Sequence, residues 1–118
     1  RQRQMCIRDR ANIDRLILDH AMNSMSATSA RMVKLSLEAI SQQDVSLAER
    51  VREMDRELNA QNARSYKTLQ EGMEQQPNMV RQAVSYLTIS SNIERIGDLA
   101  TNIAGQVVFL VHGKIDRH

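Results

Sequence analysis

The stretch "SSNIERIGDLATNIAGQVVFLV", residues 90–111, decides the fold. With Ile89 before it, Ile93, Ile96, Ala100, Ile103, Val107 and Val111 recur at spacings of three and four, the stripe of a helix that faces a core. Beside the stripe, Glu94, Asp98 and Asn102 recur every fourth residue. Taking Ile93 as the origin, the apolar stripe centres near about 330°, and the three polar residues fall at roughly 100°, 140° and 180° on one flank. Like charges at i,i+4 cost a few tenths of a kcal/mol. Gly97 and Gly105 each cost about 1 kcal/mol relative to alanine in a helix interior. A helix that accepts these losses in one place needs a reason.

Two further helical patterns precede this one. In the first, Leu18, Ala21, Met25, Thr28, Met32, Leu35 and Ala39 form a seam that starts after Asn12 and stops near "SQQD". There Asp44 suits the N-cap of the next helix, or Ser41 and Asp44 form a weak capping box. The second pattern runs from about Asp44 to Glu74, with Leu47, Val51, Met54, Leu58, Leu69 and Met73 on one face and Asn59, Asn62 and Ser65 interrupting it. "QQPN" breaks it, because Pro77 fits a first turn and not a helix interior. The third helix is expected from about Asn78 to His112, with Gly113 as its C′ residue. No strand alternation competes. The expectation is all-α: an antiparallel three-helix bundle of up-down-up topology, each helix about 45 Å long.

The composition agrees: 3% aromatic, seven Met, no Trp, four Gly and one Pro in 118 residues. The longest apolar run, "VVFLV", is too short to span a membrane, and no secretory signal pattern is present, so the default is a cytoplasmic protein. Residues 1–10, "RQRQMCIRDR", read as the translation of a transposase adapter used in short-read sequencing, and are set aside as a non-native scar. Without them Lys+Arg falls from 16 to 12 and Asp+Glu from 14 to 13, so the net charge moves from +2 to −1. The basic balance then carries no case for a nucleic-acid partner. Cys6 leaves with the scar, and with it thiol chemistry. On this reading residues 11–118 are a three-helix fragment of a longer protein.

Antiparallel register extends the polar constellation. If the second turn centres near residues 76 and 77, Asp55 stands level with Asp98 and Asn59 level with Glu94. Across the first turn "SATSA", residues 26–30, lies at the same height with side chains small enough to leave room. Oxygen-only donors in this number suit a hard or borderline cation such as Mg²⁺, Mn²⁺ or iron, and a bound cation would offset the carboxylate repulsion. The alternative is ordinary: helix-flank carboxylates are usually solvated or paired, and Arg52, Arg56 and Arg95 are close in sequence. Spacing alone leaves both open. A ferritin-like di-iron site would need Glu-x-x-His pairs, which are missing. His20 reads as a surface histidine, and the methionines as core.

"NIERIGDLATNIAGQVVFLVHGKIDRH", from Asn92 onward, resembles the signature of the PhoU family of phosphate-transport accessory and regulatory proteins, in which a helix carries E-R-x-G-D-x-x-x-N-I and then a short apolar run. "VREMDRELN" in the second helix resembles the family's other metal-motif helix more loosely. The resemblance implies two similar three-helix repeats, of which this chain holds the C-terminal one. It also implies metal ligation by Glu94, Asp98 and Asp55, with Asn59 where an acidic residue often stands and Asn102 on the same line. The metal would be Mn, Mg, Zn or Fe, in a multinuclear cluster or singly. Gly105 stands where the family pattern suggests glutamate.

The function implied is regulation without catalysis. PhoU-like proteins restrain a phosphate ABC transporter and a phosphate-sensing histidine kinase when phosphate is plentiful, binding from the cytoplasmic side, with a homodimer expected for the full-length protein. Two other readings compete. One is a PhoU-like domain of a sodium–phosphate cotransporter. The other is a metal-dependent helical enzyme, which would need a nucleophile or base that the sequence does not place.

Overall fold

Three helices run up, down and up: α1 (Gln2–Gln42), α2 (Val45–Gln75) and α3 (Val80–Arg117), with a single 3-10 turn, Pro77–Met79, leading into α3. The computed structural model describes residues 2–117, with side chains over residues 12–113, and no strand occurs among them. Each helix packs against the other two, giving a rod of 75 × 16 × 15 Å. The expected all-α three-helix bundle is the fold observed.

Both connections are built as the local chemistry dictates. At the end of α1 the Asp44 N–H donates to the Ala39 carbonyl at 3.0 Å and the Gln43 N–H to the Ile40 carbonyl at 3.3 Å, the paired bonds of a Schellman motif. Its left-handed position is filled by Gln43, at φ 52°, where glycine would fit without strain. Asp44 then caps α2: its Oδ1 accepts from the Ser46 and Leu47 amides at 2.9 and 3.2 Å. Of the two N-terminal readings the single cap is right, since Ser41 lies inside α1. Pro77 opens the 3-10 turn, where its missing N–H costs nothing.

Two helix boundaries differ from expectation. α1 begins at Gln2 rather than near Asn12; no Gly or Pro interrupts residues 2–11, and a nucleated helix adds residues at little cost. Gly113 does not end the third helix. α3 continues to Arg117, because Gly113 keeps a right-handed φ and no proline follows to force a stop.

The seams are seven-residue repeats, shifted from the expected ones at every second position. On α1 the buried residues are Leu18, Met22, Met25, Ser29, Met32, Ser36 and Ala39, while Ala21, Thr28 and Leu35 are half-buried. On α3 Ile93, Ala100 and Val107 are buried as expected, but the alternate positions are Ser90, Gly97 and Ala104, while Ile89 and Ile96 remain 45% and 41% exposed. Apart from Met22, small residues win these positions because they let neighbouring backbones close in. The serines tolerate burial because their hydroxyls are satisfied: Ser29 donates to the Ser26 carbonyl and Ser36 to the Val33 carbonyl.

A polar layer divides the interior. On one side of α2 the Gln61 amide donates to Ser24 Oγ on α1 at 3.1 Å; on the other, Ser90 on α3 donates to Asn62 Oδ1. The larger core, from Met22 to Val107, lies toward the α1–α2 turn. A smaller one, of Leu18, Leu69 and Ala83, lies toward the α2–α3 turn. Tyr86 packs against both and ties α3 to α1 through a 2.5 Å hydrogen bond to Asp19 Oδ1.

Candidate functional site

Three cross-helix contacts fix the register of α2 against α3. They are Ser90 with Asn62, Gly97 with Leu58 and Asp55, and Gly105 with Arg52. This is the register the turn position implies, so Asp55 stands level with Gly97 and Asp98.

The one-residue shift of the α3 seam changes the setting of the polar line. Its buried face turns toward Ser90, Gly97 and Ala104, which brings Glu94 closer to α2 and leaves it half-buried, while Asp98 and Asn102 remain exposed. On α2, Asp55 is half-buried and Asn59 exposed. Asp55 Oδ1 is shut off from solvent and accepts no hydrogen bond, a condition that costs about 1–3 kcal/mol for a neutral acceptor and more for a charged one. It lies 3.7 Å from the position a Cβ would take on Gly97. Thus α2 and α3 present Asp55, Glu94 and Asp98 along one flank, with one carboxylate oxygen lacking a donor.

Ion pairs do not compete for these carboxylates among the described residues. Among the described residues the ion pairs are Arg50–Glu53 and Arg52–Glu49, so Arg56 and Arg95 are not paired with the candidate ligands. The donor chemistry fits a hard cation. As placed, however, no three His, Cys, Asp or Glu side chains among the described residues converge on one point, and Asn59 and Asn102 point their line outward.

The two glycines now have separate explanations. A Cβ on Gly97 would stand 2.5 Å from Leu58 Cδ2 and 3.7 Å from Met32 Cε, so the site allows α2 and α3 to meet closely. Gly105 faces the Arg52 guanidinium, with Nη2 3.4 Å from where its Cβ would be. Arg52 was visible in sequence only as one of several nearby arginines; its place opposite Gly105 follows from register.

A model of the PhoU domain matches residues 22–107. Three relatives are each named as a phosphate-specific transport system accessory protein PhoU homolog. One from Xylella fastidiosa (strain 9a5c) is 35% identical over 94 residues, 80% of this chain and 40% of the relative. One from Pseudomonas aeruginosa is 31% identical over 88 residues, 75% of this chain and 36% of the relative. One from Clostridium acetobutylicum is 29% identical over 83 residues, 70% of this chain and 38% of the relative. The chain therefore spans about two fifths of the length of the curated relatives it matches. No solved structure matches it at the same stringency. Among the described residues no helix is long and apolar enough to cross a membrane. The matched span takes in the principal core and every residue of the candidate site, and this chain belongs to the PhoU domain family.

Proposed function

We propose that this chain is one repeat of a negative regulator of phosphate uptake and phosphate-starvation signalling. It acts by binding proteins rather than by catalysis: its partners are components of a phosphate ABC transporter and a phosphate-sensing histidine kinase, met on the cytoplasmic side. The observation that carries this reading is the family match over residues 22–107, with relatives named as accessory proteins of phosphate transport.

Binding is metal-dependent on the same proposal. Asp55, Glu94 and Asp98 would hold a divalent or iron-type cation once side-chain rotation turned them toward one point, a reading supported by the buried Asp55 Oδ1 that lacks a donor. A bound cation supplies positive charge that offsets the carboxylate repulsion and joins α2 to α3. The chain's own part is to present the carboxylates on a stiff pair of helices, with Gly97 holding those helices close. Asn59 and Asn102 would contribute neutral oxygens at the margin.

Metal content after equilibrium dialysis against Mn²⁺ tests the site. The native chain should retain metal and a Glu94→Ala, Asp98→Ala variant should not; equal content in both sinks the assignment. Co-purification with transporter components, with and without Mn²⁺, tests the role. Capture that ignores metal defeats metal dependence, and failure under both conditions defeats the partner.

A further inference from the structure

The opposite flank of α2 carries a cleft of about 350 Å³ against α1. In the register set by the Gln61–Ser24 bond, His20 on α1 stands level with Arg64 on α2, and both line this cleft with Ser24 and Gln61. Its apolar wall is Ile17 and Ala21. Among the described residues no carboxylate lines it.

Among the described residues neither basic side chain has a carboxylate to answer it. Residues three and four away from His20 are Leu16, Ile17, Asn23 and Ser24, and from Arg64 they are Ala60, Gln61, Lys67 and Thr68. Among the described residues neither forms an ion pair, whereas Arg50 and Arg52 both pair with glutamates one turn away. The hydroxyls divide by role. Thr68 and Ser65 donate back to the Arg64 and Gln61 carbonyls. Ser24 Oγ accepts from Gln61, which leaves its own hydrogen to donate into the cleft.

We propose that this cleft binds an oxyanion of phosphate type carried on a small organic molecule. The guanidinium of Arg64 supplies a charged fork of donors that matches such an anion, and the His20 ring N–H and Ser24 hydroxyl add two more. The cleft has room for about ten waters' worth of volume, more than a bare tetrahedral anion fills, and Ile17 and Ala21 offer the remainder to an apolar group. A phosphate monoester fits both parts. Inorganic phosphate shares the anion chemistry without the organic portion. The site lies on the α1–α2 flank, away from Asp55, Glu94 and Asp98, and does not rest on the regulatory reading.

Titration of the isotope-labelled full chain, followed by amide NMR, tests this with phenyl phosphate and inorganic phosphate as probes. Shifts should centre on Ser24, Gln61 and Arg64, with phenyl phosphate bound several-fold more tightly. Arg64→Gln and His20→Gln should each weaken phenyl phosphate binding tenfold or more. Both side chains are exposed, so the remaining spectrum reports that the fold is retained. Arg81→Gln, at an exposed arginine elsewhere, should bind as native. Native affinity in the Arg64→Gln variant, or shifts spread evenly over the arginine-bearing surface, overturns the site. Equal affinity for the two probes overturns the organic ligand class.

Discussion

Adding one methyl group at Gly97 should destabilise the bundle, and the same methyl should stabilise it once Leu58 is cut back. In an unconstrained helix Gly→Ala gains about 1 kcal/mol. Here the new Cβ would arrive 2.5 Å from Leu58 Cδ2 and 3.7 Å from Met32 Cε. Leu58 and Met32 are fully buried, so the leucine cannot swing into solvent and must displace packed neighbours. Overpacking of this kind costs about 1–3 kcal/mol, which outweighs the propensity gain and leaves a net loss of about 1 kcal/mol. Leu58→Ala alone should cost about 2–5 kcal/mol through the cavity it opens. With that cavity present the Gly97 methyl meets no obstacle, and Gly97→Ala should restore about 1 kcal/mol. The cycle therefore has a coupling of about 2 kcal/mol and a reversal of sign. Urea unfolding followed by far-ultraviolet circular dichroism measures all four corners; Leu58→Val supplies a milder background if the alanine variant is partly unfolded. If Gly97→Ala stabilises both backgrounds alike, close approach at Gly97 is not what the glycine provides.

Three further outcomes follow from the connections and from Tyr86. Gln43→Gly should raise stability by about 1 kcal/mol in the same urea assay, by relieving a left-handed residue at the end of α1. Asp44→Ala should lower it by about 1 kcal/mol, since two α2 amides lose their acceptor. The Tyr86 phenol is pushed up to about 12 from 10.0, first by burial and then by its bond to Asp19. Its neutral form is favoured in the folded state, so the stability it contributes is present below pH 10 and is lost as pH rises from 10.0 toward 12. Tyr86→Phe should therefore lower stability at neutral pH and flatten the alkaline decline; an unchanged alkaline limb would dismiss the Tyr86–Asp19 bond as its source.

Much of this arrangement is legible in the sequence because a bundle is written in spacing. Leu18, Met25, Met32 and Ala39 on α1, and Ile93, Ala100 and Val107 on α3, are core residues that the period alone selects. Most of the alternate positions go astray for one reason, Met22 over Ala21 being the exception. Apolar size favours Leu35 over Ser36 and Ile96 over Gly97, whereas packing selects the smaller residue that lets a neighbouring helix come near. That preference depends on what stands opposite, which spacing on one helix does not contain. The α2–α3 register was legible because Pro77 marks the turn, and register is what sets Asp55 beside Gly97. Arg52 over Gly105 lies beyond such a reading, since it depends on how a long side chain lays itself across a backbone. Gly113 misleads because glycine permits a helix end without requiring one.

The two hydrogen bonds made by neighbouring residues of α2 have a consequence for misalignment. Seams that repeat every seven residues offer themselves several near-equivalent alignments, each displaced by about 10 Å along the axis. Greasy contacts alone distinguish such alignments poorly, since one leucine or methionine fills a gap much as another does. Gln61 and Asn62 reach to different helices, to Ser24 on α1 and Ser90 on α3. A slide of either outer helix by one repeat would put Ile17 or Arg31 in the place of Ser24, and Ala83 or Gly97 in the place of Ser90, and none of these four carries a hydroxyl. The pair thus works as a two-sided latch, and each outer helix is checked separately against the central one.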